Sequence, residues 1–307
     1  MRTLAVAAVV AQAGIAVTGS GVRGTGSGLG CPTWPQCYPG SLVPVPHPET
    51  QALTQWIEFG NRLLTVLVVL VAGACLVAAL ATRPRRPRLT RLALVQPLGV
   101  VAQAVIGGVT VLLQLVWWSV AVHFVVSMVM VWLAVQLVAA AGGAGPNANT
   151  APTRTVPRAV RGLIATSTAV LAALLVAGTF VTAAGPHAGD ARTPRLDLPV
   201  PALAQLHADL LFAYLGMLVA LGFTLRAVDA PAVLRRRFGL LVAAVVAQGA
   251  LGITQYALGV PEALVSLHVL GAALVTVGAA ALWAGTTERP HGATPLPTPA
   301  ELAPTRA

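Results

Sequence analysis

Eight apolar segments, each close to the length that crosses a bilayer, constrain this chain more than any other feature. A helix rises about 1.5 Å per residue, so about 20 apolar residues span the hydrocarbon core. With 56% hydrophobic and 9% charged residues, the 307-residue chain carries more apolar surface than a soluble domain would bury. We therefore predict an all-α integral membrane protein with eight transmembrane helices. The predicted spans are 3–20, 62–81, 92–113, 117–139, 160–183, 203–225, 238–257 and 262–284.

The first apolar segment has two interpretations. It begins with Arg2 and is rich in alanine, as a cleaved signal peptide would be. Its residues Gly14, Thr18 and Gly19, however, parallel Gly178 and Thr182 near the end of the fifth segment. That parallel favours a retained helix that opens a structural repeat.

A glutamine and a histidine twenty positions apart occur twice in the chain. Gln103 precedes His123, and Gln248 precedes His268, so the two copies are 145 residues apart. Each copy lies in two apolar segments joined by a short turn, which indicates duplicated helical hairpins. We predict two tandem, pseudo-symmetric four-helix bundles. The expected boundaries are 1–140 and 159–286, with a cytoplasmic linker at 141–158 and a disordered cytoplasmic tail at 287–307.

The net charge of +10 comes from nineteen basic residues, all of them arginine. In an eight-span topology only Arg23, Arg62, Arg192 and Arg195 lie on one side, which leaves fifteen on the side of both termini. The positive-inside rule therefore predicts cytoplasmic N- and C-termini. We expect a multi-pass protein of the cell (plasma) membrane. The arginines form short clusters between spans and no continuous stripe, which argues against nucleic acid as a partner.

The first outer loop contains two cysteines six positions apart, Cys31 and Cys37. On the non-cytoplasmic face such a pair favours a disulfide that closes a small loop, because that compartment is oxidising. The pair is either a structural staple or a redox-active couple, and the spacing leaves both open. Cys75 lies among alanines and valines inside a span, as a small apolar filler would.

Three histidines are predicted at one depth in the membrane. His123, His207 and His268 each lie about 10 Å below the outer end of their helix, from the rise per residue. A single histidine at that depth is equally well explained as a hydrogen-bonded core residue. Three at one level favour an interior site, because polar groups in hydrocarbon are costly.

Alignment of the two halves places Asn61 opposite His207. Two imidazoles from opposed helices, such as His207 and His268, can coordinate a haem iron on both faces, an arrangement suited to electron transfer. In the first half His123 faces Asn61, so an iron there would keep one position open. The sequence thus predicts a closed site in the second half and a reactive one in the first.

Glu58 and Arg62 lie on the helical face of Asn61, at intervals of three and four residues. Glu58 is a candidate for proton transfer or substrate positioning, and a cap with an ion pair at a helix start is the simpler alternative. Arg62 is a candidate partner for a haem propionate, although an interfacial arginine that reaches to water is the simpler explanation.

These motifs together resemble haem A synthase, the COX15/CtaA family, in its actinobacterial form. The resemblance covers about residues 5–285 and rests on the Cys-x5-Cys loop, Glu-Phe-Gly-Asn-Arg, both Gln-x-x-x-Gly runs, Gly185-Pro-His-Ala-Gly-Asp190 and His207. It implies oxidation of a methyl group of haem O to the formyl group of haem A for cytochrome oxidase.

Residue by residue, the resemblance implies haem b between His207 and His268, and substrate haem near His123 and Glu58. It also implies a Cys31–Cys37 disulfide. Many members have a histidine where this chain has Asn61, so a second protein ligand for the substrate iron is not carried over. Asn61 is instead a candidate to bind a water or an oxygen species at that iron.

The implied partners are haem O, the lipid bilayer, an electron donor and haem O synthase, the protohaem farnesyltransferase. A homo-oligomer is one of the states that the sequence allows. Two other functions remain in view: a membrane b-type cytochrome that only relays electrons, and a transporter built from repeats.

Overall fold

The computed structural model describes residues 1–48, 50–142 and 153–288. Eight helices in this part are each long and apolar enough to cross a membrane, which confirms the predicted multi-pass all-α fold. Their bounds are α1 Arg2–Gly24, α2 Ala52–Ala81, α3 Pro87–Leu112, α4 Trp117–Ala141, α5 Arg158–Ala184, α6 Val200–Ala227, α7 Ala232–Ala257 and α8 Glu262–Ala284.

Helix α2 begins ten residues before the predicted start of its span, at Ala52 where 62 was expected. The polar side chains in those first turns lowered the apolar signal. Gln55 and Glu58 are nevertheless only 2% and 5% exposed, because both find acceptors or donors in the preceding loop. A buried polar group with partners does not interrupt a helix.

The helices pack as two four-helix units. In the first, α1 packs on α2 and α4, and α3 packs on α2 and α4, so the ring is closed. In the second, α5 packs on α6 and α7 on α8, while α6 meets α7 over a short stretch. Helices α4 and α8 join the units, since α8 packs on both α1 and α4 and α4 also contacts α5.

The two ends of this assembly differ in their connections. The loop end carries the Cys31–Cys37 loop and the segment 185–199. At this end the first unit touches the second, because the Gly28 N–H donates to the Gly189 carbonyl oxygen at 2.8 Å. The linker end carries the α2–α3 and α6–α7 turns.

At the linker end a two-residue strand, β1 (Thr153–Arg154), pairs antiparallel with β2 (Thr287–Glu288). The predicted disordered tail therefore begins too early, because its first two residues are hydrogen-bonded to the expected linker. Thr155 reinforces the pairing, since its hydroxyl donates to the Gly285 carbonyl oxygen at 2.8 Å. Residues 143–152 of the predicted linker and 289–307 of the predicted tail lie outside the described residues.

Candidate functional site

His207 on α6 and His268 on α8 face each other across the second unit. Their ring centroids lie 6.4 Å apart with planes inclined at 57°. A metal bonded to one nitrogen of each ring at about 2 Å would separate the centroids by about 6 Å. No group of three or more His, Cys, Asp or Glu lies together in the described ranges. Two protein ligands suit an iron whose other four ligands come from a porphyrin.

The ring of His207 is oriented by the neighbouring helix. Its Nδ1 lies 3.1 Å from the carbonyl oxygen of Leu174 on α5. An Nδ1–H that donates to this carbonyl leaves Nε2 with its lone pair available to a metal. The geometry is that of a histidine prepared as a ligand.

The imidazole of each of the three site histidines packs against a glycine of the preceding helix. A Cβ at Gly178 would lie 3.1 Å from Cε1 of His207, and a Cβ at Gly252 would lie 3.1 Å from Cε1 of His268. Gly107 stands in the same relation to His123, again at 3.1 Å. The absent side chains are what allow the imidazoles to approach the helices this closely.

The repeated glutamines explain the repeated twenty-residue interval. The Gln103 side-chain amide donates to the His123 carbonyl oxygen at 3.1 Å and to Ser127 Oγ at 2.5 Å. Gln248 donates in the same way to the His268 carbonyl oxygen at 2.8 Å. Each glutamine thus fixes the backbone of the histidine that follows it, across a helical hairpin.

Asn61 contacts α1. Its Oδ1 lies 2.7 Å from the Thr18 hydroxyl, which donates to it. Within the described part of the chain, no hydrogen bond joins Asn61 or Glu58 to His123. A pocket of about 460 Å³ opens beside Asn61 between α1 and α2. Its lining is mostly apolar and includes Val22, Trp56 and Leu64.

Glu58 and Arg62 clamp the cysteine loop to α2. Glu58 Oε2 accepts the Cys31 N–H at 2.7 Å, and Glu58 Oε1 accepts from Arg62 Nη2 at 2.6 Å. Arg62 also donates to the carbonyl oxygens of Cys31, Thr33 and Gln36. The predicted ion pair is therefore present, and its main contacts are with the loop.

All five N–H groups of Arg62 have protein acceptors in this arrangement, since Nε also donates to Glu58 Oε1 at 3.1 Å. A propionate contact would require one of these bonds to be given up. The propionate-binding role of Arg62 stays a prediction.

Cys31 and Cys37 form a disulfide and are both fully buried. Between them, Trp34 reaches helix α3, because a Cβ at Gly108 would lie 2.3 Å from Cδ2 of its indole. Gly107, next in sequence, holds the His123 ring. The loop and the histidine therefore rest on the same turn of α3.

Residues 2–195 match the COX15-CtaA family, described as cytochrome oxidase assembly protein, and this stretch is 194 of the 307 residues. The chain belongs to this family. The COX15-CtaA match includes the disulfide loop, Glu58, Asn61, Arg62 and His123. It ends before His207 and His268.

Two curated relatives are similar to the chain over 101 residues. The haem A synthase of Geobacillus kaustophilus (strain HTA426) is 32% identical, and that of Geobacillus thermodenitrificans is 30% identical. Each match covers 33% of this chain and 30% of the relative. The matched stretch thus spans less than a third of the length of these relatives.

Proposed function

We propose that this member of the COX15-CtaA family is a haem A synthase, an oxidoreductase that converts a methyl group of haem O to the formyl group of haem A. The conversion replaces two hydrogens of the methyl group by one oxygen and removes four electrons, so it requires an oxidant and a source of that oxygen atom, such as dioxygen acting with an electron donor. The observation that carries the proposal is an asymmetry between the repeats. His207 and His268 oppose each other at the spacing of a doubly ligated iron, whereas the first unit offers His123 and has Asn61 at the position equivalent to His207.

In the second unit His207 and His268 would hold haem b. The residues present fit that group, because the ring spacing, the Leu174 hydrogen bond and the glycines at 178 and 252 would let both imidazoles hold one iron between them. When bound, such a six-coordinate haem supplies electron transfer.

In the first unit His123 would hold the substrate haem from one side. The pocket beside Asn61 opens between α1 and α2, and Trp56 in its lining is 57% exposed, so haem O entering from the lipid would meet an apolar wall there. His123, on α4, is not among the residues that line this pocket. With Oδ1 bound to Thr18, Asn61 keeps its amide N–H groups free to donate to a water or an oxygen species.

Glu58 is the proposed residue for proton transfer or for orientation of the reacting edge. Its two oxygens accept from Arg62 and from the Cys31 backbone, and these bonds favour orientation through the loop. The disulfide is accordingly assigned a structural role in holding that loop.

For topology, we propose that the loop end faces outward from the plasma membrane. Arg23, Arg62, Arg192 and Arg195 lie at that end, and thirteen of the other fifteen arginines lie toward the linker end. The remaining two, Arg289 and Arg306, lie outside the described residues. Cytoplasmic N- and C-termini follow from the positive-inside rule. An electron donor and haem O synthase are the proposed protein partners.

The proposal is tested by extracting haems from a host without its own haem A synthase that carries haem O synthase and this protein. Chromatography of the extract should show haem A with the wild-type chain and only haem O with His123→Ala. Unchanged haem A in the variant would exclude His123 as the substrate-side ligand. Absence of haem A with a folded, haem-loaded wild-type protein would exclude the synthase.

A b-type cytochrome that relays electrons is the second candidate, because the His207–His268 pair alone would serve it. An electron relay would leave the haem type of the host unchanged, so the same chromatogram distinguishes the relay from the synthase. A transporter is excluded if the purified protein shows haem absorption bands.

A further inference from the structure

Two arginines at the loop end have no carboxylate partner among the residues that the structure describes. Arg23 lies in the last turn of α1, and Arg195 lies in the segment 185–199. Ion pairs in the described part of the chain join Arg62 to Glu58, Arg192 to Asp190 and Arg235 to Asp229. Neither Arg23 nor Arg195 belongs to one of these pairs.

The two guanidinium groups are brought together by three consecutive carbonyl oxygens. Arg23 Nη2 donates to the His187 carbonyl oxygen at 2.7 Å. Arg195 Nη1 donates to the Gly185 carbonyl oxygen at 2.7 Å, and its Nη2 donates to that of Pro186. The two arginines therefore bind neighbouring carbonyls of one short stretch of backbone, residues 185–187.

One of the hydrogen-bond donors of Arg23 is not used. Its Nε is buried and has no hydrogen-bond partner. Glu262 is the acidic residue next to this turn, since a Cβ at Gly24 would lie 3.3 Å from Glu262 Cβ, but its carboxylate makes no ion pair with Arg23. A half-buried cation with a buried, unused donor and a like charge beside it is costly unless an anion completes the site.

The position of this site points to the second unit. His187, whose carbonyl binds Arg23, contacts the Val260 carbonyl oxygen through Nε2 at 2.8 Å. Val260 lies just before α8, and His268 follows the first residue of α8 by six positions, about 9 Å along the axis. The arginine pair therefore lies near the N-terminal end of α8, the helix that carries His268.

We propose that Arg23 and Arg195 form a carboxylate-binding site for the propionates of the haem held by His207 and His268. This inference rests on the proposed function. Guanidinium groups bind carboxylates through paired, charge-assisted N–H bonds, and each arginine has N–H groups beyond those used on the carbonyls. Because Arg23 belongs to the first unit, the contact would tie the haem of the second unit to both repeats.

A phospholipid phosphate is the other anion that this chemistry would bind. Both sources share an oxyanion that accepts two N–H bonds. The lipid alternative predicts no dependence of haem binding on the propionates, so the experiment must vary the haem as well as the protein.

The test uses the full-length protein in detergent, stripped of haem and titrated with haemin or with haemin dimethyl ester, whose propionates are esterified. The wild-type chain should bind haemin at the His207–His268 site at least tenfold more tightly than the ester. In Arg23→Gln and Arg195→Gln the preference should fall to within about twofold, with faster transfer of haemin to excess apomyoglobin. Arg192→Gln, which removes a charge from the same segment outside this site, should keep the wild-type preference.

Equal binding of haemin and its ester by the wild-type chain would overturn the inference even if every variant failed to fold. Unchanged haemin preference with loss of co-purified phospholipid phosphorus in the variants would overturn it in favour of a lipid site. Failure of the wild-type chain to bind either haem would instead refute the proposed function.

Discussion

The carboxylate of Glu58 accepts the backbone N–H of Cys31 at 2.7 Å. This bond joins the disulfide loop to helix α2 at a point where both residues are buried. The same carboxylate pairs with Arg62, which donates to three further loop carbonyls. The loop that covers the first unit is therefore held from the helix that carries Asn61.

Glu58→Gln should loosen this loop. The amide removes the charge that Arg62 pairs with, and the loss of a buried, charge-assisted contact costs on the order of 1–3 kcal/mol. We expect the Cys31–Cys37 bond to be reduced several-fold faster by dithiothreitol, measured by maleimide labelling. Asp229→Asn, at the linker end, is the control. Equal labelling rates in both variants would show that Glu58 does not hold the loop.

Gly252→Ala should reduce haem occupancy in the second unit, because the new methyl group would lie 3.1 Å from Cε1 of His268 and tilt the ring. Gly239→Ala is the matched control on the same helix, since a Cβ there meets nothing within 4 Å. Haem content per protein should fall at least twofold in the first variant and stay unchanged in the second. Equal contents would contradict the role of the glycine.

The same comparison is available on α5. Gly178→Ala should disturb His207, whereas Gly162→Ala, with open space at its Cβ, should not. The reduced-minus-oxidised spectrum reports the change as a loss of the six-coordinate haem bands. If the Gly162 variant loses the bands as well, helix α5 itself is sensitive and the glycine argument fails.

Gln248→Leu should weaken the second hairpin without removing a ligand. The substitution deletes the bond to the His268 carbonyl and costs about 0.5–1.5 kcal/mol, the usual net value of such a bond. Thermal unfolding of the haem-loaded protein should shift downward, and Gln103→Leu should behave alike. A stability gain would show that the buried, unpartnered Oε1 of each glutamine outweighs the carbonyl contact.

Asn61→His should give the first unit two histidine ligands for a haem iron, as proposed for the second unit. A histidine at this position, equivalent to His207, would supply the second imidazole that the first unit lacks. Electron paramagnetic resonance of the oxidised protein loaded with both haems should show an added low-spin ferric signal. Thr18→Val in the wild-type background should not add it. Absence of the new signal in a folded Asn61→His variant would contradict the pseudo-equivalence of the two positions.

The sequence predicted the repeated residues better than it predicted the hydrogen bonds and packing contacts that these residues make. The Gln103–His123 interval was visible because both residues recur at the same spacing, and the structure explains it by a hydrogen bond between neighbouring helices. The start of α2 was missed because Gln55 and Glu58 look like loop residues until their buried partners are known.

The residues that support the site histidines and Asn61 could not be predicted from spacing in the sequence, and the reason is physical. Gly178 lies 29 positions before His207, and Arg23 lies 164 before His187, so neither contact has a helical or repeat period. In the sequence, Thr18 stands out only because it has a parallel in the second half. Its hydrogen bond to Asn61 depends on the packing of α1 on α2. Such contacts follow from tertiary packing.

The most direct test of the account is the low-spin ferric resonance of the purified protein with each site histidine replaced in turn by alanine. Imidazoles from His207 and His268 are expected to generate a signal that survives in His123→Ala and disappears in His207→Ala and in His268→Ala. A colourless wild-type protein after expression with ample haem, or a signal that persists without His207 and His268, would contradict it.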